Sequence, residues 1–139
     1  MPRAVTSDLF LSQVGSFING QLNGPTFLRL FQNPVTITPT TVVGDLIEST
    51  FNGYSSILIG GSFIGPSRLG SGIWVSRSKL VGWTATLADV QKIYGAYLTN
   101  PSNLIFGANF AHALPVVAGG QLSVRVEVQD WDLSIAVGP

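Results

Sequence analysis

The stretch "IYGAYLTNPSNLIFGANF", from Ile93 to Phe110, constrains the fold more than any other part of the chain. Two apolar, aromatic-rich runs flank Asn100-Pro101-Ser102-Asn103, a cluster of turn-forming residues. None of the eighteen residues is charged. The pattern is that of a β-hairpin, yet a hairpin of a lone soluble domain wets one face. The expectation is that its own core covers one face and other protein chains cover the second.

The whole chain shares this bias. Charged residues make up 10% of its 139 residues, against about 25% in an ordinary globular domain. Hydrophobic residues make up 45%, and the mean hydropathy is +0.39. Disordered chains have the opposite balance, so this one folds, and its length suits one domain. Seven basic residues balance seven acidic ones and are scattered along the chain, a poor footing for nucleic acid. A net charge of zero removes the repulsion that keeps copies apart. There is no cysteine, which excludes disulfides and thiolate chemistry. No apolar run reaches the roughly 20 residues that span a bilayer, and Asp8, Ser12 and Gln13 interrupt any signal-peptide core. Neither nucleic acid nor membrane is therefore expected as a partner.

Ser7-Asp8 reads as a helix start, and Phe10, Val14, Phe17 and Ile18 then recur on one helical face. Residues 1–25 thus form an arm and helix ahead of a single β domain, 26–139. In that domain "TFLRLFQN" alternates, and Pro34 and Pro39 set off "VTITPTT" as an extended loop or edge segment. "GDLIESTFNGY" holds one helical turn and ends at the Asn52-Gly53 turn, and "SILIG" is a strand. "GPSRLGSG" reads as an exposed loop, and strands follow in "IWVSR", "KLVGWTATL" and "VQKIYGAYLT". After the Ala118-Gly119-Gly120 turn, Leu122, Val124, Val126 and Val128 alternate strictly with polar residues. Beyond Asp130 the parity flips to Trp131, Leu133, Ile135 and Val137, which calls for a bulge, a bend, a change of sheet, or a strand added to a neighbour. The fold class expected is all-β, an antiparallel sandwich or barrel with one N-terminal helix.

Candidate chemistry is sparse. The sole histidine, His112, lies among small apolar residues without a partner motif. Asp130 and Asp132 could share a strand face and hold a hard cation, but solvated acids at a bend fit them better. Asp45 and Glu48 read as turn and cap residues. Trp74, Trp83, Trp131, Tyr54, Tyr94 and Tyr97 could line a sugar groove; as a set they fit a core or a subunit interface better. Neither an enzyme nor a cofactor is expected.

A further pattern runs through Leu28, Leu30, Phe31 and Asn33, then Thr38-Pro39, Asp45, Glu48, Phe51, Gly53 and Tyr54, and resumes at Tyr94, Gly95, Tyr97, Leu104, Ala108 and Phe110. It resembles a group of small virion structural proteins of tailed bacteriophages, over about half of the chain. The resemblance implies a capsid cement or decoration protein on the phage head, made in the bacterial cytoplasm. Its partners would be the major capsid protein and copies of itself, with a trimer as the default. The alternatives are a tail or fibre component, or a carbohydrate-binding β module. The interface residues expected are Tyr94, Tyr97, Phe106, Trp131, Leu133, Ile135 and Val137.

Overall fold

The computed structural model describes residues 5–6, 26–60, 64–68, 74–100, 103–129 and 132–138. Their regular structure is almost all strand, with almost no helix, arranged as two antiparallel sheets. The first sheet contains β1 (Val5–Thr6), β2 (Phe27–Phe31), β3 (Ile57–Leu58), β7 (Asp89–Thr99) and β8 (Leu104–Val116), in the order β1-β8-β7-β2-β3. The second contains β4 (Ile64–Arg68), β5 (Trp74–Arg77), β6 (Val81–Thr84), β9 (Gln121–Gln129) and β10 (Asp132–Gly138). Its order is β10-β9-β5-β4, and β6 takes the rest of the β9 edge that β5 leaves open.

Alternation dictates which residues lie between the sheets. Leu28, Leu30, Ala96, Leu98 and Ala108 of the first sheet share one core with Val81, Trp83, Leu122, Val124 and Val126 of the second. The expected helix over Phe10–Ile18 lies outside the described residues. The helical turn near Asp45 is a 3₁₀ turn, Val43–Asp45.

The charge-free stretch is a hairpin as expected, formed by the facing halves of β7 and β8. The Asn100 amide donates to the Asn103 carbonyl at 3.0 Å across its turn. Two other expectations need correction. "GPSRLGSG" is not all loop, because Gly65–Arg68 belong to β4, whose Ser67 and Arg68 pair with Val75 and Trp74 of β5. The register shifts between Ile64 and Ser67, around Pro66, which has no N–H for the ladder. The parity flip at Asp130 marks neither a bulge nor a change of sheet. Asp132 pairs with Gln129, and Leu133, Ile135 and Val137 fall opposite Val128, Val126 and Val124 of the same chain. β9 and β10 are thus neighbouring antiparallel strands of one sheet, with positions 133, 135 and 137 in register with 128, 126 and 124.

Candidate interaction surface

From Gly95 to Thr99 every residue of β7 is buried, so both faces of this strand are covered. Ala96 and Leu98 point into the core between the sheets. Tyr97, on the opposite face, is 3% exposed and packs in a second cluster with Phe31, Ile37, Leu46 and Leu104, flanked by Val35 and Tyr94. The cover is the chain's own segment 33–47, which crosses over the first sheet. The outer face of the hairpin is thus not left to another chain, contrary to expectation.

Side chains of Asn, Thr and Asp fasten this crossover, since its backbone has few partners of its own. Asn109 of β8 donates through Nδ2 to the Val35 carbonyl at 2.7 Å, and its Oδ1 accepts from the Ile37 amide at 2.9 Å. Asn33 acts in the same way, donating to the Asp45 carbonyl at 2.9 Å and accepting from the Ile47 amide at 2.8 Å. Asp45 Oδ2 accepts from the Val42 amide, and Thr41 Oγ1 accepts from the Thr38 amide. The segment then runs beside the second half of β2, where the Gln32 amide donates to Ile47 and the Ser49 amide to Leu30.

Glu48 ends the crossover in a polar network. Arg29 Nη1 reaches both of its carboxylate oxygens, at 2.9 and 3.1 Å, while Arg29 Nε donates to Thr99 Oγ1 at 3.1 Å. The Tyr54 hydroxyl donates to Glu48 Oε2 at 2.6 Å and accepts from the Leu30 amide at 3.2 Å. The Tyr54 ring stacks on Trp83 of the second sheet, with centroids 6.0 Å apart, and Trp83 Nε1 donates to the Ser55 carbonyl. Burial, reinforced by the bond to Glu48, pushes the Tyr54 hydroxyl well above the ordinary phenol range. Burial, with the Glu48 charge nearby, also pushes Tyr97 up, to about 12. These groups bind the crossover to both sheets. Their polar atoms are turned on one another.

Of the expected interface residues, Tyr97 is therefore enclosed by its own chain, and Tyr94 is half-buried against the same cluster. Phe106 pairs with Leu98 in the β7–β8 ladder. Leu133, Ile135 and Val137 lie on β10, and Trp131 lies outside the described residues. His112 is exposed on β8. Asp45 caps the turn at Val42 and Glu48 pairs with Arg29, so each is taken by the crossover. Asp132 begins β10, and Asp130 lies outside the described residues. Of the aromatic set, Trp83 and Tyr54 are stacked within the molecule.

Large apolar side chains do reach solvent elsewhere. Leu87, Val90 and Val117 lie on two segments bound to each other at one end of the first sheet. The Ala85 amide donates to Gly120, the Gly119 amide donates to Ala85, and Asp89 pairs with Val116. Val90 is 100% exposed. Val42 and Ile47 are exposed on the outer surface of the crossover. Sequence reasoning missed this rim, although Val90 shares its parity along β7 with the charged Lys92. It missed the roles of Asn33 and Asn109 too, because their partners are backbone groups that no pattern marks. Of the positions in the sequence pattern, Asn33, Thr38, Asp45, Glu48 and Tyr54 take part in the bonds that hold the crossover. No protein-family model, curated protein or solved structure matches the chain.

Proposed function

We propose that this chain is a structural protein of a tailed-phage particle, a β-sandwich that decorates the capsid and binds across subunits of the major capsid protein. The observation that carries this reading is the rim of Leu87, Val90 and Val117, large apolar side chains held in water by hydrogen-bonded β segments. Exposed apolar groups on a firm frame suit a binding surface, and the polar network of Arg29, Glu48 and Tyr54 has a structural use already. Burying one such side chain contributes about 1.5–3 kcal/mol, and a shell with many equivalent sites multiplies a modest contact. A protein that binds only the assembled shell stabilises it by mass action, with no bond made or broken.

The test uses particles assembled with and without the protein. Particles that carry it should release their DNA at a higher temperature. Leu87→Asp combined with Val90→Asp should lower its occupancy while leaving its circular dichroism unchanged. Occupancy should vary little with salt, because the three rim side chains are uncharged. Equal occupancy by the double variant would remove the rim from the contact. Recovery of the protein only in tails, at low copy number, would replace the capsid reading with a tail reading.

A further inference from the structure

We infer that two copies of the chain associate about a two-fold axis by pairing β10 with β10 of the second copy. Such pairing needs nothing from a virus particle and would occur in the isolated protein. A sheet edge is a template for another strand unless it is short, bulged, or carries proline or lysine. Among the described residues several of the open edges are blunted. β1 and β3 have two residues each, and β4 contains Pro66 and a register shift. The edge of β10, by contrast, runs for seven residues in unbroken register with β9, and contains no proline, lysine or arginine. Among the described residues no strand pairs with its other edge.

The sequence of this edge complements itself. An antiparallel pair centred on Ile135 sets Leu133 against Val137, Ser134 against Ala136, and Asp132, the only charge on the strand, against Gly138. No like charges meet, and the net charge of zero adds no repulsion between copies. Positions 133, 135 and 137 continue the row of Val128, Val126 and Val124, of which Val126 and Val124 are fully buried. The pairing would extend that apolar row from one copy into the next, and cross-strand apolar pairs are what stabilises a sheet. The same edge of both copies is used, so the pairing closes at two. A pair of seven-residue strands is a small contact, so association should depend on concentration.

Light scattering on the full chain tests this at rising concentration. The wild type should move from 14.7 kDa toward twice that mass. Ser134→Lys with Ala136→Lys sets like charges across the two-fold and should stay monomeric. Ser134→Lys with Ala136→Glu sets opposite charges there and should dimerise. Mixing the first variant with Ser134→Glu/Ala136→Glu should restore a mixed dimer, an outcome that misfolding of either could not produce. A wild type that is monomeric at every concentration, a trimer, or a dimer indifferent to the like-charged variant would each overturn the pairing.

Discussion

Gly95 sits where β7 comes closest to its neighbours. A Cβ there would run into the Ala108 carbonyl and the ring of Phe31. Gly95→Ala should therefore cost about 1–3 kcal/mol, the usual cost of overpacking, read as a lower urea midpoint with an unchanged slope. At Gly53 the requirement is conformational, since φ is 101° in the turn that delivers Tyr54 to Glu48. Tyr97 makes a pH prediction. Its folded pKa is raised from 10.0 to about 12, so the folded state keeps its proton while the unfolded chain releases it. The stability this contributes is complete below pH 10 and declines as the pH climbs toward 12. Tyr54 is raised as well and adds to the same decline. Unfolding midpoints measured from pH 9 to 12 should fall, and Tyr97→Phe should flatten the slope. An equal slope in the variant would mean that the hydroxyl is not buried as described.

At the scale of elements, β10 belongs to the sheet of its own chain. Deleting residues 130–139 removes the partner of β9 along Ser123–Gln129. It also uncovers the edge next to Val124 and Val126, which are fully buried. The truncated protein should lose its cooperative unfolding transition in circular dichroism. A stable, fully β product would mean that the tail is dispensable to the fold. The parity flip at Asp130 was legible, but its cause was not. Period two fixes which residues share a face and is silent on whether a strand bends or reverses across Asp130-Trp131. The β7–β8 hairpin was legible because Asn100-Pro101-Ser102-Asn103 interrupts two long apolar runs. The strand at Gly65–Arg68 was not, since glycine, proline and serine mask a strand that pairs through its backbone. Pro34 and Pro39 did mark the crossover as extended loop. Where it lies depends on Asn33 and Asn109, whose partners are ten or more residues away.

For the molecule as a whole, so few charges raise the question of what shields the apolar surface. Much of it is shielded from within, by a crossover that lays Val35, Ile37 and Leu46 over Phe31 and Tyr97. Among the described residues the apolar groups left open to partners include the rim at Leu87, Val90 and Val117, with Val42, Ile47 and Leu80 elsewhere on the surface. The absence of cysteine from the chain allows a direct test of this internal cover. Ile37 is 4% exposed beneath the crossover, and Val42, on the same segment, is 57% exposed. Ile37→Cys and Val42→Cys should be compared by thiol labelling in dilute, monomeric protein. The fold described here predicts rapid labelling at position 42 and strong protection at position 37 without any second chain. Equal, rapid labelling at both positions, with protection at 37 appearing only on assembly, would contradict it and return the cover of the hairpin to neighbouring subunits.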